Sequence, residues 1–229
     1  MNLRPAVWAA LGTVLDPELD EPITDLDFVE SCTVSEDGVA TVVLRLPTFF
    51  CAPNFSWLMV ADAYDAVSEV PGVIRADVSL ADHHASAEIN GGVAAQAGFV
   101  TAFAGEAVAE LDELRKQFFR KAALAGQDRV ARPLVDAGVG PDELADTTLG
   151  RLDPSPELDR LRTRRAALGL PHDDDAPLLI DAEGRAIPPA AVPLHLRRAR
   201  LQRVGIETNG AYCKDLLKTR YLKEATAAR

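Results

Sequence analysis

Residues 39–84 read VATVVLRLPTFFCAPNFSWLMVADAYDAVSEVPGVIRADVSLADHH, and this stretch decides the fold. Residues 39–46 alternate in hydrophobicity, which is typical of a β-strand, and residues 73–80 do the same. Between them, residues 55–69 carry apolar side chains at helical spacing, and Pro71-Gly72 ends the helix. A helix of this length allows a right-handed crossover, so we expect the two strands to be parallel.

The preceding sequence adds one helix and one strand. Residues 5–15 have a helical apolar face. We expect that helix to end before Pro17, because the residue that precedes a proline is disfavoured in the α conformation. Residues 28–35 alternate as a strand, and Glu36-Asp37-Gly38 predicts a hairpin turn. The order predicts an α+β fold, a two-layer α-β-β-α-β domain with a small three-stranded sheet, over residues 1–84.

The rest of the chain is predicted to be mostly helical. Residues 85–98 are rich in glycine and alanine, and we interpret them as a linker. Residues 99–229 contain periodic segments at 105–126, after Ser155, at 190–203 and at 209–224, with a short hairpin near 178–187.

Two loops distant in sequence are expected to meet at one edge of the sheet. Parallel strands end on the same edge, where open α/β sheets bind ligands. Thr48 and Cys51 follow the second strand, and Asp82-His83-His84 follows the third. Asp25 lies in the loop that enters the first strand, and whether it reaches the same edge depends on the path of that loop.

Cys51 is the strongest candidate for a functional residue. It directly precedes a helix that we expect Asn54 to cap, and a helix N-terminus favours the thiolate form. A thiolate binds iron or attacks an electrophile, whereas the alternative is a buried, inert cysteine. His83 and His84 are candidate metal ligands with Cys51; in extended backbone only one of them shares its side.

The other two cysteines are weaker candidates. Cys32 shares a strand face with apolar residues, so we expect it to pack in the core. Cys213 lies in a predicted helix, where a structural role and a second functional thiol both stay open. Three widely spaced cysteines without a CxxC pair argue against a disulfide framework and against a self-contained structural zinc site.

Charge and hydropathy argue against a nucleic-acid-binding, a membrane or a secreted protein. The formal net charge is −11, and residues 1–98 hold 15 acidic and three basic residues, which disfavours nucleic-acid binding there. The apolar runs are shorter than a membrane span needs, and the N-terminus lacks a secretory pattern, so we expect a cytoplasmic protein. The basic tail after residue 190 is either a solvated helix face or a docking surface for an acidic partner.

About the first 85 residues contain four short motifs: Asp16-Pro17-Glu18-Leu19, Ile23-Thr24-Asp25-Leu26 with Phe28-Val29, the Thr48–Cys51 loop, and Val70-Pro71-Gly72-Val73. Together they resemble the iron–sulfur cluster assembly (FSCA) domain family, which includes SufT-type and PaaD proteins. The resemblance implies the α-β-β-α-β fold and a role in maturing iron–sulfur or related metal proteins. It places a functional acidic loop and thiol at Asp16, Asp25, Thr48 and Cys51.

The sequence departs from this family at two positions. Asp27 stands where the family usually has glycine, and Ala52 separates Cys51 from Pro53. The DHH…EIN extension and the helical tail are similar to proteins found beside bacterial multicomponent di-iron monooxygenases. That similarity implies a maturation factor for such an oxygenase or its reductase.

The leading hypothesis is therefore an assembly factor rather than a turnover enzyme. Cys51 would be a transient ligand for iron or an iron–sulfur cluster, assisted by Asp25 and by His83 or His84. The ligands are too few for a permanent site, so a homodimer partner or the client metalloprotein would supply others. The alternatives are a non-catalytic docking module of an oxygenase system and a small thiol enzyme with His83 as base.

Overall fold

The computed structural model describes residues 2–227, with side chains for residues 2–221. It divides into two compact units. The first comprises Met1–Asp112 and Thr208–Arg229, and the second comprises Glu113–Glu207. Within the described residues, no helix combines the length and the apolar character needed to cross a membrane.

A three-stranded sheet is the centre of the first unit. Its strands are β1 (Val29–Val34), β2 (Val39–Leu44) and β3 (Arg75–Leu80), in that spatial order. β1 pairs antiparallel with β2, and β2 pairs parallel with β3 through helix α2 (Pro53–Ser68). The predicted α+β class, the three-stranded sheet and the helical C-terminal region are confirmed.

Two helix boundaries differ from the prediction. Helix α1 covers Arg4–Leu11 and ends earlier than expected, because Gly12 closes it. Helix α2 starts at Pro53, whose fixed φ suits a first helical position, so Ala52 is the N-cap. The prediction that Asn54 caps α2 is therefore wrong: its Oδ1 accepts a hydrogen bond from the N–H of Phe55 inside the first turn.

The predicted strand 73–80 is also shorter in the structure. It begins at Arg75, and Ile74 is 81% exposed rather than inward-facing. The N–H of Ile74 donates to the carbonyl of Gly38 at 2.8 Å, which ties Ile74 to the hairpin turn between β1 and β2.

Residues 85–98, predicted as a linker, instead contain helix α3 (Ser86–Ala94). Ile89 and Val93 of α3 are buried in the core of the first unit. At Gly92, a β-carbon would lie 2.6 Å from the ring of Trp57. The small residues here allow helices to pack closely, which composition alone does not distinguish from a linker. Helix α4 (Phe99–Ala102) follows.

The second unit is helical, with a small core of its own. Its segments are α5 (Asp112–Asp136), α6 (Pro141–Asp146), α7 (Pro156–Ala167) and the first part of α8 (Val192–Ala227). Ser155 caps α7 by accepting a hydrogen bond from Leu158, as the sequence predicts. The two predicted basic helices form the single helix α8. The hairpin near 178–187 is an isolated bridge between Ile180 and Ala186.

Candidate functional site

The loops that follow β2 and β3 meet at the edge of the sheet where both strands end. The ring Nε2 of His83 lies 2.7 Å from the carbonyl oxygen of Cys51. The backbone N–H of His84 donates to the carbonyl of Phe49 at 3.1 Å. Parallel pairing thus brings together residues that are 32 positions apart in sequence.

Cys51 is half-buried, and its thiol contacts the hydroxyl of Thr48. The Sγ and Oγ1 atoms are 3.3 Å apart. Oγ1 also accepts a hydrogen bond from the N–H of Phe50 at 3.2 Å. Because a lone pair of the hydroxyl takes that bond, its own proton can be donated to sulfur. Thr48 can therefore stabilise Cys51 as a thiolate, the form that binds metal.

His83 holds the two loops together. Its Nδ1 accepts a hydrogen bond from the N–H of Ala85 at 3.2 Å, so Nε2 carries the proton and donates to Cys51. The residue is 3% exposed, and burial lowers its pKa, which favours the neutral form. Both ring nitrogens are occupied and neither bonds to the sulfur. This geometry suits a clasp better than a base or a metal ligand.

An exposed aromatic cluster borders the thiol. Phe50 is 77% exposed and stacks on the ring of His84 at 5.7 Å. Phe49 is 41% exposed and meets Phe50 edge to face at 5.0 Å. Of the two candidate histidines, His84 is the one exposed to solvent.

The acidic loop residues differ in their surroundings. Asp16 is 7% exposed, and its carboxylate accepts hydrogen bonds at 2.8 Å from the N–H groups of Glu18 and Leu19. Burial raises the pKa of Asp16 to about 6. Asp25 is exposed, and its carboxylate bonds to the hydroxyl of neighbouring Thr24. In the described part of the chain, no hydrogen bond joins Asp25 to Cys51.

The backbone conformation of Asp27 explains how aspartate can stand where the resembled family usually has glycine. Its φ is 59°, in the left-handed region where glycine carries no steric cost. Aspartate tolerates this region better than most other residues. The backbone turn that favours glycine here is therefore retained in this chain.

The last part of α8 packs on the same sheet edge, and the sequence does not predict this contact. Arg220 donates to the carbonyls of Leu46 at 3.0 Å and Asp82 at 2.8 Å, and pairs with the Asp82 carboxylate. Lys214 pairs with Glu21 at 2.7 Å. Leu217 is 3% exposed in the core of the first unit. The available signal is helical spacing, since 213, 217 and 220 share a face.

Cys213 lies in this packed segment, within electrostatic reach of Asp16, Glu18 and Cys51. Burial raises the pKa of Cys213 to about 11, and the negative charges of Asp16, Cys51 and Glu18 add to the shift. The residue is half-buried against the core that also contacts Cys51. Cys32 is 5% exposed in the same core, as the sequence predicts.

The described side chains contain no group of three or more histidine, cysteine, aspartate or glutamate residues arranged to hold a metal ion. The half-buried thiol of Cys51 is of the soft donor type that iron–sulfur sites use, and the exposed ring of His84 lies in the adjoining loop.

Comparison with known proteins shows what the first part of the chain is similar to. Residues 4–79 match the family model described as "Iron-sulfur cluster assembly protein". The "Iron-sulfur cluster carrier protein" of Mycobacterium tuberculosis is 37% identical over 79 residues, which are 34% of this chain and 20% of that protein. The protein of that name from Mycobacterium leprae is 35% identical over the same length. The chain spans about a fifth of the curated relatives it matches. No solved structure matches.

Proposed function

We propose that this chain, whose residues 4–79 form a domain of the iron–sulfur cluster assembly family, delivers iron or an iron–sulfur cluster to a client metalloprotein. The carrier names of its relatives support this proposal. The observation that carries it is the half-buried Cys51 thiol, presented at the sheet edge with the Thr48 hydroxyl 3.3 Å away. The chain acts as an accessory protein in the cytoplasm rather than as a turnover enzyme.

In this proposal Cys51 binds the metal transiently. Thr48 stabilises the thiolate before loading, and His83 keeps the loop in place through its bond to the Cys51 carbonyl. Of the two histidines, the exposed His84 is free to approach the metal without breaking the clasp. Asp25 is exposed and acts, if at all, once a partner has docked. The remaining ligands come from the client or from a second copy of the chain.

The client class in this proposal is a multicomponent di-iron monooxygenase or its iron–sulfur reductase. It rests on the resemblance of the DHH…EIN extension and of the helical tail. In the structure, the DHH turn is part of the functional edge, because Asp82 and His83 contact Arg220 and Cys51.

The test is anaerobic reconstitution with ferrous iron and sulfide, followed by transfer to an apo-ferredoxin. Cys51→Ser should lower iron affinity and transfer rate by about tenfold or more, because the hydroxyl is a poor soft ligand. Cys32→Ser is the matched control, since that thiol is buried in the core. Equal iron binding and equal transfer by wild type and Cys51→Ser would contradict the proposal.

A second candidate is a docking module in which Cys51 is structural. The exposed aromatic cluster favours it, because aromatic residues dominate protein interfaces. Lys214 and Arg220 form internal ion pairs, so the basic residues to reverse are the exposed Arg197, Arg200 and Lys218. If these reversals abolish capture of the oxygenase subunit while Cys51→Ser leaves capture and activation intact, docking is the function.

A further inference from the structure

The second unit contains a cavity of about 330 Å³ that is separate in sequence from the assembly domain. This volume lies within the range of small-molecule sites. Its apolar wall includes Leu124, Leu168, Leu170 and Ile180. Its basic side chains are Arg120, Lys121, Arg165, His195 and Arg198, against one carboxylate, Asp181.

Arg165 is the central feature of this cavity. It is fully buried, and its guanidinium donates to the carbonyls of Pro177 at 2.8 Å and Leu178 at 2.6 Å. Its Nε has no hydrogen-bond partner, and in residues 2–221 no carboxylate pairs with it. Burial lowers its pKa to about 10, so it still carries its charge at neutral pH. A buried cation without a counter-charge is costly, and a bound anion would offset that cost.

Arg120 is paired with Glu113 at 2.9 Å, but the other polar groups of the cavity leave the charge of Arg165 uncompensated. The Asp181 carboxylate is already engaged by the side chain and N–H of Arg185. The Gln127 Oε1 accepts from Ile180 N–H at 2.9 Å and from His195 Nε2 at 3.0 Å. Neutral His195 therefore carries its proton on Nε2, and its Nδ1 keeps a lone pair.

We propose that this cavity binds a small organic carboxylate whose apolar body packs on the leucine wall and whose carboxylate faces Arg165. Because the guanidinium is fully buried and both of its terminal nitrogens already donate to backbone carbonyls, Arg165 attracts the carboxylate through its charge rather than through direct hydrogen bonds. The apolar lining favours an organic anion over inorganic phosphate, which has no surface to bury there. Arg198 is exposed at the cavity and adds long-range attraction.

The test uses the full chain and benzoate as the probe, with benzyl alcohol as its neutral counterpart and inorganic phosphate as a competitor. Binding is followed by the imidazole proton signal of His195 in NMR spectra, identified by its loss in His195→Gln. We expect saturable benzoate binding that shifts this signal and leaves those of His83 and His84 in place. Absence of saturable binding at millimolar concentration would overturn the proposal.

Matched variants separate charge from folding. Arg165→Gln should weaken benzoate binding by about tenfold or more, since the missing charge is desolvated. Arg198→Gln should weaken it by a smaller factor, whereas Arg197→Gln on the same helix should not change it. If Arg165→Gln fails to fold, the Arg198 and Arg197 pair decides, and equal binding by both contradicts the proposal. Equal affinity for benzyl alcohol, or full displacement of benzoate by phosphate, also overturns the carboxylate assignment.

Discussion

At the scale of single residues, the sheet edge that carries Cys51 depends on how polar atoms are shared between its two loops. His83 uses one ring nitrogen to accept from Ala85 and the other to donate to Cys51. Thr48 accepts from Phe50 and keeps a proton for the thiol. The two side chains therefore do different work, since His83 holds the loop and Thr48 contacts the sulfur. The thiol-enzyme alternative loses support, because His83 faces the Cys51 carbonyl rather than its sulfur.

Asp16 should make the stability of the first unit depend on pH. Its pKa is about 6 in the folded chain, above its ordinary value of 3.8, because burial penalises the charged form. The native state therefore binds the proton more tightly than the unfolded state. The stability is largest below the unfolded pKa and falls as pH rises through about 6.

The variant Asp16→Asn keeps an oxygen for the Glu18 and Leu19 amides and removes the titration. Relative to wild type, it should gain about 2 kcal/mol of unfolding free energy between pH 4 and pH 8, because at pH 4 the carboxyl of the unfolded chain is already partly ionised. Urea unfolding at several pH values measures the difference. A wild-type-to-variant difference that is flat with pH would contradict the prediction.

At the scale of elements, the end of α8 functions as part of the first unit. Arg220 bridges the chain segments that follow β2 and β3 by donating to Leu46 and Asp82. Its side chain is 17% exposed, so these charge-assisted bonds are only partly screened. Cys213 lies two turns before Arg220 on this helix, so opening of this end of the helix would expose its half-buried thiol.

We predict that Arg220→Met loosens this end of the helix. Loss of the bonds should lower the free energy of local opening by about 1–2 kcal/mol and speed N-ethylmaleimide labelling of Cys213 by roughly 5–30-fold. Mass spectrometry of labelled peptides gives the rate. Lys218→Met, an exposed position on the same helix, is the control. Unchanged Cys213 labelling in Arg220→Met would show that Arg220 does not hold the helix.

At the scale of the whole molecule, the first unit is built from both ends of the chain. Leu217 is buried with residues from α1 and from all three strands in one core. The second unit has its own core and lies between these two pieces in sequence. Both tryptophans of the chain, Trp8 and Trp57, belong to the first unit, so their fluorescence reports on it alone.

Leu217→Ala should therefore destabilise the first unit by about 2–4 kcal/mol, the usual cost of a large-to-small change in a core. Tryptophan fluorescence during urea unfolding measures this loss. Leu201→Ala provides the comparison, because Leu201 is 70% exposed on the same helix. If the two variants unfold at the same urea concentration as wild type, Leu217 is not part of the folding unit.

Local patterning was enough to predict the α-β-β-α-β order, the parallel strand pair and the burial of Cys32. These features depend on the hydrophobic period and the turn residues of short stretches of sequence, and on the general handedness of crossover connections. The same reasoning predicted that the loops of Cys51 and His83 meet, because parallel strands end on one edge. The roles of Asp25, His84 and Cys51 as ligands stay predictions.

Only the tertiary structure decided which atoms face each other at that edge. The sequence does not indicate that His83 is used as a clasp, because the tautomer depends on where Ala85 and Cys51 lie. Helix α3 lies in a glycine-rich stretch, and composition alone did not predict it. The small residues there pack closely beside Trp57, and that packing exists only in the folded chain. The return of α8 to the sheet edge joins residues 138 positions apart, through Arg220 and Asp82. No local pattern encodes such a contact, because its free energy comes from surfaces that meet only in the folded chain.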